Sequence, residues 1–476
     1  MRNKIIALFL SQSFVFAAIG ISYLVYSRIL SVEQFGLYSV ALVIGSFATL
    51  ILDGGLKATI IKHPADLTKK EEGTLFFLMA CLSLFLIVTL FASHAIFAIY
   101  FPGLKQDYSF LVIFSGIYLV SYPLISIPTA TLERRLEYGH IAWIEAVGMA
   151  FERAGPAMLL VYSHYGMSSF LWALFVGRAF RIGALMMFYR PGFHIPVTKD
   201  IGAAFHLIQE GSWLQIATGA SLLRDSMHVL LVGPMFGKVW VGYYAWALQL
   251  SMIASQVFVQ LSSRVSLPLF SQDRTMKERW PVCLYQVKLL SMFTIPVLAM
   301  FLILMPSVDA YYFKEKWQIA ITLLPFLFAR MLPGLATTPV GTLLLVERGA
   351  RVFARANILW AGFELVAGFI FLLIAGPKGL AWSYSWTAWI GLLILHRAIE
   401  QDSGNRMLTT VRTLLKRPAL WFSLGAILSP LLLLMIGVIP LTYVQDIRLV
   451  ATYAIAIVIL SYSLEKDIRK MLRFRS

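Results

Sequence analysis

Long runs of apolar residues alternate with short polar segments along almost the whole chain. Each run is close to the ~20 residues that an α-helix needs to cross the hydrocarbon core of a membrane. The pattern therefore predicts an all-α, polytopic membrane protein of about fourteen transmembrane helices. The predicted spans lie at 5–27, 36–56, 73–94, 108–131, 139–162, 167–189, 203–232, 239–262, 283–306, 319–345, 353–376, 379–396, 418–438 and 446–464.

The composition supports this interpretation. Hydrophobic residues make up 59% of the 476 residues and charged residues only 13%, whereas soluble domains carry about 25% charged residues. Because the predicted spans use up most of the chain, we expect no soluble domain of ordinary size outside the membrane. The apolar run from Ile5 to Tyr26 contains no Ala-x-Ala cleavage site, so we expect a first span there rather than a signal peptide.

Basic residues are distributed unequally between the two sides of the predicted membrane. When the loops are assigned to alternate sides, 28 of the 40 lysines and arginines fall on one side and 7 on the other. Cytoplasmic loops are enriched in Lys and Arg, so both termini are predicted to be cytoplasmic. This distribution accounts for the net charge of +16, and no nucleic-acid partner is expected.

A short internal repeat links the second and eighth predicted spans. Residues 36–42 and 242–248 match at a constant offset of 206, and both segments open a helix that runs from outside to inside. The identical pairs are Gly36 and Gly242, Tyr38 and Tyr244, Ala41 and Ala247, and Leu42 and Leu248. An offset of six helices preserves orientation, so the repeat indicates two parallel bundles related by an axis along the membrane normal.

The repeat predicts three parts of the chain. An N-terminal six-helix bundle is expected at 1–195 and a C-terminal six-helix bundle at 196–400. Two additional helices and a basic cytoplasmic tail would then occupy 401–476. Substrate would bind between the two bundles, near the membrane midplane.

Motifs of several enzyme and pump classes are missing from the sequence. It contains no Asp-x-Asp pair, no Gly-rich phosphate loop and no His/Glu metal spacing. Its two cysteines, Cys81 and Cys283, lack the spacing of a disulfide framework or a zinc site. The predicted outer loops are short, and no filter-like segment suggests a channel. These observations favour a gradient-driven transporter without a cofactor over an enzyme.

Three stretches in the first 270 residues carry a resemblance to a known family. Residues 28–38 and 52–56 are similar to its opening helix pair, residues 128–138 to the basic loop after its fourth helix, and residues 223–270 to the start of its second bundle. The family comprises the polysaccharide and oligosaccharide flippases of the multidrug/oligosaccharidyl-lipid/polysaccharide exporter superfamily. Members have twelve or fourteen spans, and this chain resembles the longer form.

The resemblance implies a substrate and a mechanism. The substrate would be a polyprenyl-pyrophosphate-linked oligosaccharide, moved from the inner to the outer leaflet of the cytoplasmic membrane by alternating access. Coupling to a proton or sodium gradient and cooperation with polysaccharide polymerase machinery would follow for lipopolysaccharide or exopolysaccharide biosynthesis. Two alternatives remain open: a multidrug or small-cation extruder of the same superfamily, and a membrane polysaccharide polymerase or ligase.

Few ionisable residues lie within the predicted spans, where they are costly and usually face a cavity or a partner. Arg153, Arg178, Arg224 and Arg330 are predicted to form a cationic cavity that binds the pyrophosphate, since a guanidinium can hold two phosphate oxygens at once. The alternative is internal pairing. Glu152 would then pair with Arg153 or a neighbour, Arg224 with Asp225, and Arg330 with Glu364.

Ion coupling requires a buried carboxylate that can release and regain a proton. The candidates are Asp225, Glu364 and Glu152. Asp53 is instead expected to cap the end of its helix at Gly54-Gly55. The eight histidines are scattered along the chain, and none is predicted to bind a metal.

Overall fold

The computed structural model describes residues 19–62, 68–100, 103, 105–135, 137–162, 165–189, 198–270, 275–399 and 409–411. Every regular element in these ranges is helical, and the protein is an all-α, polytopic membrane protein, as predicted. Two short π-helices lie at His228–Val232 and Asp309–Phe313. The α-helices are α1 (19–29), α2 (Val32–Asp53), α3 (Leu56–Lys62), α4 (Lys69–Ala92), α5 (His94–Tyr100), α6 (Tyr108–Arg134), α7 (Tyr138–Tyr162), α8 (Ser168–Phe188), α9 (Thr198–Asp225), α10 (Gly233–Phe270), α11 (Met276–Val308) and α12 (Gln318–Ile399).

Five of the described helices are long and apolar enough to cross a membrane by length and composition, namely α2, α4, α6, α8 and α12. Side chains cap the starts of two of them. Ser31 and Gln34 form a reciprocal capping box at the start of α2, and Thr68 and Glu71 form one at the start of α4. The spans predicted at 418–438 and 446–464, and most of the one at 5–27, lie outside the described residues.

The longest helix, α12, is interrupted twice. The first break is at Gly349, with φ of 80°, and the second is at Ala375 and Gly376, where Gly376 has φ of 61°. Both glycines adopt backbone conformations that L side chains rarely take. The three resulting segments correspond to the spans predicted at 319–345, 353–376 and 379–396.

The chain divides into two compact units. The N-terminal unit contains Met1–Trp246 and Asn357–Leu372, and the C-terminal unit contains Ala247–Ala356 and Leu373–Ser476. The N-terminal unit is built around α6, which packs against α2, α4 and α8. Its apolar core includes Leu119, Ile127 and Ala130 of α6.

An ion pair and a hydrogen bond to the backbone connect helical segments within the C-terminal unit. Arg279 of α11 lies 2.6 Å from a carboxylate oxygen of Glu347 on α12. The neighbouring Arg348 donates from Nε to the carbonyl of Ile399 at 3.1 Å. All four residues lie near the predicted cytoplasmic side, so these contacts connect helices where basic loops were expected.

Apolar side chains on the outer faces of the helices remain exposed. On α4, Leu84, Phe85 and Phe91 are each more than 60% exposed. Contiguous apolar surface of this kind is unfavourable in water but suits contact with lipid tails. The surface therefore agrees with the hydrophobic pattern of the sequence.

Two glycines allow α7 and α8 to pack closely. A Cβ atom at Gly177 would lie 2.6 Å from Cγ of Glu152 and 3.0 Å from the carbonyl oxygen of Gly148. A Cβ atom at Gly148 would lie 2.5 Å from Cγ of Arg181. Small residues let membrane helices approach and gain van der Waals contact, which is the main attraction between helices in lipid.

We predict that Gly177→Ala lowers the thermal stability of the detergent-solubilised protein. The added methyl group has no space against α7, and overpacking of this kind costs about 1–3 kcal/mol. Gly183→Ala on the same helix is the matched control, since a Cβ atom there meets nothing within 4 Å and alanine favours a helix. Equal melting temperatures for the two variants would contradict the close packing of α7 and α8.

Candidate functional site

Two arginines of α8 meet one carboxylate of α7 inside the N-terminal unit. Nε of Arg178 lies 3.2 Å and Nε of Arg181 lies 3.4 Å from the same oxygen, Oε1 of Glu152. The three side chains are 10%, 11% and 7% exposed, in that order. Glu152 is thus paired internally, but with two arginines of α8 rather than with Arg153, and Arg181 was not among the predicted site residues.

Arg153 adds a third guanidinium beside this group. Its Nη1 atom lies 3.4 Å from the hydroxyl oxygen of Tyr38 on α2, and its backbone carbonyl accepts a hydrogen bond from the hydroxyl of Tyr26. Arg153, Arg178, Arg181 and Glu152 are called the N-terminal cationic cluster below. Three guanidiniums and one carboxylate leave it with a net positive charge.

Arg224, at the end of α9, occupies a second buried position in the N-terminal unit. Its Nη2 atom donates to Oγ of Ser221 at 3.0 Å and to Oδ1 of Asn357 at 3.3 Å. Its guanidinium carbon lies 3.5 Å from the centre of the Trp360 ring. The site around Arg224 thus combines a cation, an amide and an indole.

Two of the carboxylates proposed for ion coupling, Asp225 and Glu364, differ in burial. Asp225 is half-buried and adjoins Arg224 in sequence. Glu364 is fully buried and follows Asn357 by two turns of α12. With Trp360 it lies on the face of the helix that Arg224 contacts, because positions three, four and seven residues apart share one face.

Arg330 belongs to the C-terminal unit. Its side chain is largely buried, and the guanidinium carbon lies 4.5 Å from the centre of the Tyr384 ring. Tyr384 is itself fully buried. The structure therefore brings Arg153 and Arg178 together in one cluster, and it places Arg224 over Trp360 and Arg330 over Tyr384.

An aromatic ring under the guanidinium is common to three of the four predicted arginines. Arg178 lies over Tyr118 at 4.1 Å, Arg224 over Trp360, and Arg330 over Tyr384. The ring face attracts a cation, more strongly when water is excluded. The sequence contained no signal for Tyr118, Trp360 and Tyr384, which lie more than fifty residues from their arginines.

A second feature of the N-terminal unit lies at the predicted outer ends of α2 and α10. A Cβ atom at Gly36 would lie 3.0 Å from the backbone nitrogen of Gly242, so the two backbones are in direct contact. These are the glycines that the internal repeat equates. Four residues before Gly242, Nζ of Lys238 lies 3.2 Å from a carboxylate oxygen of Glu33 and 3.3 Å from one of Asp107.

Further polar contacts continue this interface toward the membrane interior. His228 of the π-helix lies 3.3 Å from Oγ of Ser39. The indole of Trp246 donates to Oγ of Ser27 at 2.8 Å, and the hydroxyl of Tyr23 donates to the backbone carbonyl of Trp246. The contacts of residues 228–246 with α1 and α2 are called the outer interface below.

Lys238 remains charged at neutral pH. Its partial burial lowers the pKa of the ammonium group, but the contacts with Glu33 and Asp107 raise it more, so the pKa lies above its usual value. The ion pairs of the outer interface are therefore formed across the physiological pH range. Screening by salt weakens them, because the carboxylates are partly exposed.

Asp53 has the structural role expected for it. One carboxylate oxygen accepts a hydrogen bond from the backbone nitrogen of Gly55 at 3.2 Å, and the other accepts one from the hydroxyl of Tyr122 at 3.0 Å. Gly54 and Gly55 have φ of 54° and 85°. Asp53 thus closes the end of α2 and ties it to α6.

Comparisons with known proteins agree with the fold. The lipid II flippase MurJ in an inward closed conformation has a TM-score of 0.71 at 15% identity and covers 97% of this chain and 99% of its own. An inward-facing multidrug resistance MATE family transporter has a TM-score of 0.59 at 13% identity and covers 84% and 96%. At these identities the likeness concerns the fold alone.

Sequence relatives point to a biological process. The lipopolysaccharide biosynthesis protein WzxC of Escherichia coli (strain K12) is 23% identical over 342 residues, which are 70% of this chain and 67% of the relative. The amylovoran biosynthesis protein AmsL of Erwinia amylovora is 26% identical over 291 residues, 60% and 69%. The model of the family described as polysaccharide biosynthesis protein matches residues 25–322, well over half of the chain. This membrane protein therefore belongs to the polysaccharide biosynthesis protein family.

Proposed function

We propose that the protein is a flippase that moves polyprenyl-pyrophosphate-linked oligosaccharides across the cytoplasmic membrane by alternating access, for surface polysaccharide biosynthesis. It works as a secondary transporter with both termini in the cytoplasm. The observation that supports this proposal most strongly is the presence of buried and partly buried arginines inside a membrane protein of this family. Arg153, Arg178, Arg224 and Arg330 are the proposed contacts of the substrate.

The chemistry of these arginines suits an anionic group. A cation in a low-dielectric environment is costly unless a counter-charge or an aromatic face compensates it. The N-terminal cationic cluster has one carboxylate for three guanidiniums, so it retains capacity for an anion. A pyrophosphate diester carries a negative charge on each phosphate, and guanidinium forks can bind such oxygens in pairs.

The same charges disfavour the competing functions. An extruder of small cations would need an excess of acidic groups around its substrate, and the N-terminal cationic cluster has the opposite sign. A polymerase or ligase would need catalytic groups on a substantial outer loop, and the predicted outer loops are short. We therefore retain the flippase.

Transport against a gradient requires energy, and we propose coupling to protons or sodium ions through Asp225, Glu364 or Glu152. Glu364 is the most buried of the three. A buried carboxylate favours the protonated form when it lacks a cation and the ionised form beside one, so movement of a nearby guanidinium changes its proton affinity. Polymerase machinery at the outer face would receive the flipped lipid.

Alternating access also needs an outer closure that can open. The outer interface joins α1 and α2 to residues 228–246, which the sequence repeat assigns to the second bundle at 196–400. Its polar contacts are ion pairs and single hydrogen bonds, which water can replace when the two sides separate. The rings of Tyr23 and Trp246 also stack across it. Gly237, with φ of 80°, supplies a non-helical joint within this segment.

Deletion of the gene from its host is expected to remove the corresponding surface polysaccharide and to leave lipid-linked repeat units at the cytoplasmic face. This follows because synthesis of the unit continues while its export stops. Glycan analysis of the surface and of extracted lipids measures both effects. Normal surface glycan with altered drug tolerance would overturn the flippase in favour of an extruder.

Arg224→Ala and Arg330→Ala are each expected to abolish complementation of the deletion while the protein is still made and inserted. Removing either guanidinium deletes a cation that sits on an aromatic face in the interior of its unit. Arg355→Ala is the matched control, because Arg355 is an exposed arginine on α12. Full complementation by both buried-site variants would remove these two arginines from the proposed substrate site.

A reversible cross-link across the outer interface is expected to stop transport. In a Cys81→Ala, Cys283→Ala background, cysteines at Glu33 and Lys238 would be joined by a short disulfide-forming bifunctional reagent. Export to the outer face of spheroplasts should cease and return after reduction, as judged by access of an impermeant glycan hydrolase. The two single-cysteine proteins are the controls, and undiminished export from the cross-linked protein would show that the outer interface need not open.

A further inference from the structure

The contact of Glu152 with its arginines differs from an ordinary structural salt bridge. A single oxygen, Oε1, faces both Nε atoms, at 3.2 Å and 3.4 Å. None of these three atoms has a partner with the geometry of a directed hydrogen bond, although all are buried. A buried ion pair stabilises a fold when good hydrogen bonds offset its desolvation, and these contacts lack them.

The surroundings of Glu152 contain more positive than negative charge. Arg153 adjoins it on α7, and Arg178 and Arg181 face it from α8. The neighbouring phenols are Tyr38 of α2, which contacts Arg153, Tyr118 of α6, which lies under Arg178, and Tyr122 of α6, whose hydroxyl donates to Asp53. Neutral phenols do not compensate the guanidiniums, and among the described residues Glu152 is the carboxylate that contacts Arg178 and Arg181.

The position of the carboxylate depends on the absence of two side chains. Glu152 lies against Gly177, where a Cβ atom would be 2.6 Å from its Cγ, and Arg181 crosses Gly148 to reach it. The helices thus leave a narrow space that is filled by the acidic side chain and its arginines. Anything larger than hydrogen at Gly177 would push the carboxylate away.

We propose that Glu152 is a resident counter-anion that the pyrophosphate of the substrate displaces from Arg178 and Arg181. The inference rests on the proposed function and assigns a role within that site. When no substrate is bound, Glu152 partly neutralises the positive charge of these guanidiniums. That charge must stay buried while the empty protein returns to the conformation that is open to the cytoplasm. When substrate enters, its phosphates bind the guanidiniums of the N-terminal cationic cluster, and the carboxylate moves off them.

This exchange predicts opposite effects on binding and on transport. Glu152→Gln preserves the size of the side chain and removes the competing charge, so affinity for a pyrophosphate should rise about tenfold, which corresponds to about 1.4 kcal/mol. Transport should fall, because the empty site keeps three uncompensated cations and holds its ligand. A merely structural carboxylate would instead lower stability and affinity together.

The test measures binding of farnesyl pyrophosphate to purified protein in nanodiscs by calorimetry, alongside complementation of the deletion strain. Glu152→Gln should bind more tightly and complement poorly, while Glu145→Gln on the same helix should resemble the unaltered protein. Glu152→Asp retains the charge with a shorter reach and should give intermediate affinity. It also carries the test if Glu152→Gln does not fold, as judged by its melting temperature.

The outcomes separate this inference from the proposed function. Arg178→Ala should lose pyrophosphate binding, and a wild-type protein that does not bind the probe, or an Arg178→Ala variant that binds normally, would contradict the anion site itself. If Arg178→Ala loses binding but neither Glu152 variant gains affinity, the anion site stands and displacement of Glu152 is wrong. Tighter binding with undiminished complementation would also overturn it.

Discussion

The cost of placing a guanidinium in a low-dielectric interior governs the rest of this structure. Three of the four predicted arginines contact a group that reduces that cost: a shared carboxylate for Arg178, an amide and an indole for Arg224, and a phenol ring for Arg330. A ring face attracts a cation without carrying a negative charge of its own.

Small residues determine where these charged groups can meet. Gly148 and Gly177 let α7 and α8 approach closely enough for two arginines to share Glu152. Gly36 and Gly242 likewise let the outer ends of α2 and α10 approach until their backbones touch. The second pair is instructive because the repeat equates its members. The contact between them joins the two predicted repeat segments at the outer ends of their helices, which is where the proposed outer closure lies.

The fold by itself leaves the substrate open. The same architecture is found in a lipid II flippase and in a multidrug transporter, so function has to be argued from the residues of the site. Here the argument comes from the sign of the buried charge and from its aromatic supports. Family membership adds the process, polysaccharide biosynthesis, and an anionic lipid-linked glycan is the cargo that we propose for such a site.

The sequence by itself determined the membrane class, the helical fold and the identity of the buried charges. These features follow from local properties, since twenty apolar residues predict a span and a lone arginine within one is conspicuous wherever its partner lies. The role of Asp53 was equally local, because its backbone partner is two residues away. Only the tertiary structure decided the pairings. Glu152 shares two arginines of α8, and Trp360 and Tyr384 lie under arginines far away in sequence. Such contacts depend on the distance between packed helices and on the rotation of each helix about its own axis. Hydropathy does not reveal that rotation, because in a membrane protein the side of a helix that faces lipid and the side that faces protein are both apolar.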